Sequence, residues 1–151
     1  MRMRKGFTLI ELLIVIIIIG ILATAMLLSS GNATAAAKAA TVISDLRSMK
    51  SAALLFYVAS YDQLKSNTEI KLEQLLPFMD DAVKFTKSRK GGFGKRGNFW
   101  YVGVVSNGKD VNKVLESKAE SAGLYSDPGC TTPFKGKDGS QWVYMKARNA
   151  Q

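Results

Sequence analysis

From Phe7 to Leu28 the chain reads FTLIELLIVIIIIGILATAMLL, a run of 22 residues whose one charge is Glu11. As a helix this run would extend about 33 Å, against a bilayer hydrocarbon core of about 30 Å. It is apolar on every side, so it is not the stripe of a surface helix, and a chain of 151 residues has no core wide enough to surround it. The segment is therefore a membrane span or an export signal. Arg2, Arg4 and Lys5 precede it. The positive-inside bias keeps these residues cytoplasmic and sends the chain beyond Leu28 across the membrane.

A cleaved secretory signal has Ala23-Thr24-Ala25 as its A-x-A-like site. Against it, the stretch from Leu12 to Leu28 is longer than the roughly 7 to 15 apolar residues of such signals, and Glu11 interrupts its start. A plain anchor leaves Glu11 to be explained, because a carboxylate costs on the order of 2.5–3.5 kcal/mol at the centre of an apolar span, less near the interface. One account lets Glu11 snorkel from the first turn to the headgroups. The other supplies a cation at equal depth. A cut after Gly6 would leave Phe7 with a free α-amine, and neighbouring helices staggered by about one turn, about 5.4 Å, would pair amine with carboxylate. Neutralisation would then require assembly.

The residues Lys5-Gly6-Phe7-Thr8-Leu9-Ile10-Glu11, a basic leader ending in glycine, then Phe, then Glu, closely resemble the class III signal of type IV pilins and type II secretion pseudopilins. The resemblance covers residues 1 to about 60. It implies a prepilin peptidase that recognises the leader through Lys5, cuts after Gly6 on the cytoplasmic side and methylates Phe7. Glu11, with Thr8 beside it, matches the positions that serve filament assembly, Glu11 pairing with a neighbour's N-terminus. The partners so implied are copies of the chain itself, other pilins, an inner-membrane assembly platform and its ATPase. The location implied is the bacterial inner membrane as a single-pass prepilin, then the periplasm or cell surface as a filament, with surface pilus and secretion or competence pseudopilus both open. Gly20 falls where many members have a helix-loosening glycine; Leu28 stands where many have a proline, a departure that bears on whether the helix melts in a filament.

Ser29-Ser30-Gly31-Asn32 alone would stop a helix, but the alanine-rich run that follows resumes strong helix formers, so one long helix is predicted. Ala35, Ala39, Val42, Leu46, Met49, Ala53 and Phe56 recur at steps of three and four and give it one face to pack, while Lys38, Asp45, Arg47 and Lys50 take others. The small side chains from Ala33 to Ala40 suit close approach of another helix and equally express plain alanine helix propensity. Asn67 or Thr68 is placed to cap a short helix through Leu76 that Pro77 closes. Gly91-Gly92 and Gly94 suggest the turn of a hairpin over Val83–Gly97. Phe99–Val105 reads as a strand followed by a tight turn at Asn107-Gly108, and Asp110 as the cap of a helix over Val111–Ser121 that Gly123 ends. Gln141–Lys146 reads as a last strand with Trp142 and Tyr144 on one side and Val143 and Met145 on the other.

The expected fold is therefore α+β: a long N-terminal helix, membrane-spanning in its first half and amphipathic in its second, packed on a small antiparallel sheet as in a pilin. The divisions expected are a leader at 1–6, a membrane or filament-core helix at 7–28, its amphipathic continuation at 29–60 and a globular head at 61–151.

The chain has 21 basic and 12 acidic residues, a net charge of +9, and no histidine, which removes His-based triads and His-ligated zinc. The lone Cys130 forms no internal disulfide and is left as a free thiol, a buried small hydrophobe or an intermolecular bridge. Glu116 and Glu120, four apart on a helix, read as a solvated face rather than a catalytic pair. No enzyme and no cofactor is expected. Asp127 and Asp138 lie in turn-rich sequence, where carboxylates serve turns more often than calcium. The stretch holding Lys84, Lys87, Arg89, Lys90, Lys95 and Arg96 with Phe85 and Phe93 would suit a nucleic acid backbone and stacked bases, or else solvates a hairpin whose phenylalanines are core. A binding module on an uncleaved anchor, with this basic hairpin as its working surface, is the rival class.

Overall fold

One helix of 51 residues, α1 (Leu9–Ala59), dominates the computed structural model, which describes residues 7–60, 71–80, 85, 91–96 and 99–149. It runs through Gly31 without a break, as the helix formers on either side predict. The chain divides into two units, residues 1–34 and 35–151.

In the first unit the helix is bare. Its span from Leu9 to Leu27 is long and apolar enough to cross a membrane, 19 residues or about 28 Å. The large apolar side chains along it are all exposed, from 44% at Val15 to 84% at Leu9. That much contiguous apolar surface is unstable against water and marks a region covered by lipid or by other helices.

The second unit is organised around the rest of α1. All seven positions picked out by the helical spacing, Ala35 through Phe56, are buried, and Ile43 and Ala52 join them. Lys38 and Arg47 are exposed and Lys50 half-exposed, as expected of the other faces. Asp45 departs from its expectation, being buried, because its steps of three from Val42 and four to Met49 put it inside the packed stripe.

Among the described residues, four strands form one antiparallel sheet in the order β1-β2-β4-β3: β1 (Gly91–Arg96), β2 (Phe99–Asn107), β3 (Leu124–Tyr125) and β4 (Ser140–Asn149). Its inner face supplies Phe93, Trp100, Val102, Val104, Val143 and Met145 to the same core as the helix stripe. Phe56 on α1 is the meeting point, with ring centroids 5.8 Å from Phe78, 6.3 Å from Phe93 and 6.5 Å from Trp100 in edge or tilted geometry. The alternation expected of the last strand holds, with Val143 and Met145 buried and Trp142 and Tyr144 half-buried on the opposite face.

Several boundaries fall elsewhere than the sequence suggests. The glycines read as a turn, Gly91, Gly92 and Gly94, lie inside strand β1, where the outer-face pair leaves room for rings from neighbouring strands. Pro77 does not close a helix but sits within the second of two short 3-10 turns, Leu72–Gln74 and Leu76–Phe78; the proposed caps Asn67 and Thr68 lie outside the described residues. Asn107-Gly108 turns the chain into the expected helix, but the N-cap of α2 (Lys109–Ser117) is Gly108, at φ 108°, rather than Asp110, which lies in the first turn, where its charge complements the helix dipole. The single helix expected to Ser121 is broken at Lys118, whose N–H closes onto the Leu115 carbonyl at 3.2 Å, and resumes as α3 (Ala119–Ala122). Gly123 ends it in the left-handed conformation, as predicted.

Fully buried Asn112 ties α2 to the sheet. Its Oδ1 accepts from Ser106 Oγ on β2 at 2.6 Å, and its Nδ2 donates to the Lys137 and Gly139 carbonyls ahead of β4 at 2.6 and 3.0 Å. Truncation would remove these three bonds at once from a fully buried position, so Asn112→Ala is expected to lower stability by about 2–3 kcal/mol. Denaturant unfolding of the full chain in detergent, followed by tryptophan fluorescence, measures this.

Candidate functional site

The first turn of α1 holds the charge that the apolar span must accommodate. Thr8 precedes the helix and Glu11 is its third residue. Glu11 Oε2 accepts from the Thr8 backbone N–H at 2.8 Å and from Thr8 Oγ1 at 2.6 Å, while the Glu11 N–H donates to Thr8 Oγ1 at 3.3 Å. This is a reciprocal capping box, which satisfies donors that the first turn would otherwise leave open. The Thr-x-x-Glu spacing is the sequence signature of this cap. The box folds the carboxylate back to the level of Thr8, one residue from Phe7, itself 84% exposed. Lys5 and Gly6 lie outside the described residues.

Further along, Thr24 Oγ1 donates to the Gly20 carbonyl at 2.9 Å, so the position resembling a helix-loosening glycine is spanned by a side-chain bond. Gly20 and Gly31 have nothing within 4 Å of where a side chain would begin.

Only part of the basic segment is described. Lys84, Lys87, Arg89 and Lys90 lie outside the described residues. Lys95 and Arg96 are exposed at the end of β1, but Phe85 and Phe93 are buried in the core and offer no face to a stacked base.

The two aspartates weighed for calcium have other engagements. Asp127 Oδ1 accepts from the Thr132 N–H at 2.8 Å and the Thr131 N–H at 3.3 Å, and its Oδ2 from Thr131 Oγ1 at 3.1 Å. Asp138 Oδ2 lies 3.3 Å from Lys109 Nζ. Glu116 is exposed, as its solvated reading expects, and accepts from the Gly136 N–H at 3.2 Å. Cys130 is half-buried; burial first, then the charge of Asp127, push its thiol up to about 11 against a smaller opposing pull from Lys146, so it is protonated and unreactive near neutral pH.

The profile of the prokaryotic N-terminal methylation motif matches residues 1–27. Over 135 residues the chain is 31% identical to the type IV major pilin protein PilE of Neisseria gonorrhoeae, a match that takes in 89% of this chain and 75% of that protein. No solved structure matches the chain. The bare apolar helix, the sheet packed on its amphipathic continuation and these similarities define a pilin-type structural subunit anchored in the inner membrane. The chain belongs to the type IV pilin family.

The Asp127 loop gives a pH test. Burial alone would raise its carboxyl, but the hydrogen bonds from Thr132 and Thr131 outweigh it and hold the group below the usual aspartate range. A carboxylate depressed on folding stabilises the loop above its unfolded pKa of about 3.9 and loses that contribution as pH falls through the lower folded value. The Thr131 and Thr132 amide resonances should therefore titrate with a midpoint below that of free aspartate, and Asp127→Asn should abolish the transition.

Proposed function

We propose that the chain is a filament subunit. A prepilin peptidase removes residues 1–6, cutting between Gly6 and Phe7 behind the basic leader that ends in Lys5, and methylates the new amine of Phe7. Residues 7–28 hold the subunit in the inner membrane and then form the filament core, 29–60 continue as the helix that carries the head, and 61–151 make up the head. The role is structural rather than catalytic, and the partners are other copies of the chain or other pilins, the peptidase and an inner-membrane assembly platform. The relative being a major pilin favours a surface pilus over a short secretion pseudopilus.

The observation that carries this reading is Glu11 in the first turn of a bare apolar helix, where its hydrogen bonds among the described residues come from the neutral donors of Thr8. A cleaved Phe7 supplies a cation at that depth. An amine on a neighbouring helix neutralises Glu11, and lateral packing of the helices covers the apolar surface that each leaves open alone.

The mature protein from its native host should begin at N-methyl-phenylalanine in position 7. Glu11→Ala should retain cleavage and lose filaments; Thr8→Ala, which removes a cap worth about 1 kcal/mol, should be milder. Mass spectrometry of the mature chain and electron microscopy of sheared cell-surface filaments read both. A mature chain starting at Met1 or Met26, or wild-type filament yield from Glu11→Ala, would overturn the proposal.

A further inference from the structure

Within the second unit, α1 and the α2–α3 pair leave an open cleft of about 330 Å³ between them. That volume lies at the lower end of the range for small-molecule sites, about 300–1,000 Å³. Arg47 lines the cleft from α1, and Lys118 lines it from the break between α2 and α3. The hydroxyls of Ser44 and Ser121 stand beside them, and Ile43 and Ala122 give it an apolar wall.

The local sequence accounts for Lys118 being there. In a continuous helix its N–H would bond the Val114 carbonyl; here it closes onto the Leu115 carbonyl at 3.2 Å, and Ser117 Oγ donates to Val114 in its place at 2.8 Å. On the far side of the break the Lys118 carbonyl accepts from the Ala122 N–H at 2.9 Å and from Ser121 Oγ at 3.2 Å. Serine hydroxyls thus close the interruption at both ends. The lysine at its centre is fixed by its backbone and faces the same cleft as Arg47.

Two cations share this cleft, and among the described residues no acid lines it. Asp45, near Arg47 in sequence, is buried and lines a separate cavity along α1. Glu120, two residues beyond Lys118, is exposed and outside the lining. The ion pair between Lys109 and Asp138 engages neither cation. Like charges on one cleft repel each other when it is empty and attract jointly when an anion enters. Arg47 offers a planar fork of donors, Lys118 a point charge and Ser44 a hydroxyl.

The charge count selects among anions. Two cations match a phosphate monoester, with about 1.5 to 2 negative charges at neutral pH, better than a monoanionic diester or a single carboxylate. We propose that this cleft binds a small phosphate monoester, its phosphate between Arg47 and Lys118 and its organic group against Ile43 and Ala122. Both cations lie in the second unit, so the site depends neither on the leader nor on assembly into a filament.

The test is titration of the isotope-labelled full chain with glycerol 1-phosphate, in nonionic detergent at roughly 50 mM salt, where screening is weak, with amide resonances as the readout. Saturable shifts are expected at Ser44, Arg47, Lys118 and Ser121. Lys118→Gln and Arg47→Gln should each weaken binding about 10-fold, with partial recovery in Arg47→Lys, which keeps the charge and loses the fork. Lys38→Gln, at an exposed cation of α1 outside the cleft, should leave binding unchanged. All three positions are exposed, so the variants should unfold at the parent's denaturant midpoint. Dimethyl phosphate, a monoanion, should bind more weakly than the monoester. The proposal is overturned if no resonance shifts saturably, if Lys38→Gln weakens binding as much as Lys118→Gln does, or if dimethyl phosphate binds as tightly as glycerol 1-phosphate. Tighter binding of inorganic phosphate than of the ester would also overturn it, since the apolar wall would then have no part.

Discussion

An apolar helix about as long as a bilayer core is thick has no stable existence alone in water, and the other features of this chain answer to that fact. Between Leu9 and Leu27 nearly every side chain adds to the free energy of exposure, at about 25 cal/mol per Å² of apolar surface. No fold available to the remainder of a 151-residue chain would cover it. Cover has to come from outside, from lipid or from identical helices. The same apolar surface that inserts the subunit into a membrane is therefore the surface by which subunits would hold each other, since a helix leaving lipid must exchange one apolar surrounding for another.

The second unit solves an ordinary problem with the same helix. Beyond Thr34, α1 carries apolar residues on one side, and a four-stranded sheet closes over that side through Phe56, Phe93 and Trp100. Because the sheet is antiparallel and needs only one buried face, its outer face is free to vary. Here that freedom has been used for glycines and large rings. The buried polar link at Asn112 then fixes α2 and the segment before β4 relative to β2, so the outer face is presented on a rigid frame.

What the sequence disclosed and what it withheld divide along physical lines. The membrane span, the helix stripe from Ala35 to Phe56 and the alternation around Trp142 were legible because each is a periodic pattern set by burial, and burial decides structure at such positions. The glycines of β1 were misread as a turn because glycine marks both flexible backbone and places where another group approaches closely; only the arrival of Tyr101 and Trp142 from neighbouring strands tells the two apart. Phe85 and Phe93 are buried, as the reading of a solvated hairpin with core phenylalanines expects. Asp45 shows the converse limit: a charge assigned to solvent by type was taken into the core by its position. Within the candidate site, Glu11 is legible as a charge in an apolar run, and the spacing of Thr8 and Glu11 spells a helix cap.

The bond between Thr8 and Glu11 bears on what assembly must do. Two hydrogen bonds from neutral donors spare the carboxylate the cost of open acceptors, yet they leave its charge in place. In the first turn, near the interface, that charge is tolerable; drawn into a bundle of apolar helices it is not, because desolvating an unpaired ion costs several kcal/mol. An opposing amine offsets that penalty where a cap does not. A subunit entering a bundle out of step would bury Glu11 against aliphatic side chains, and one entering in step would meet a cation. In the proposed filament the apolar surface supplies most of the attraction and is indifferent to register. Glu11 supplies little net attraction and sets the register, by making every other alignment unfavourable.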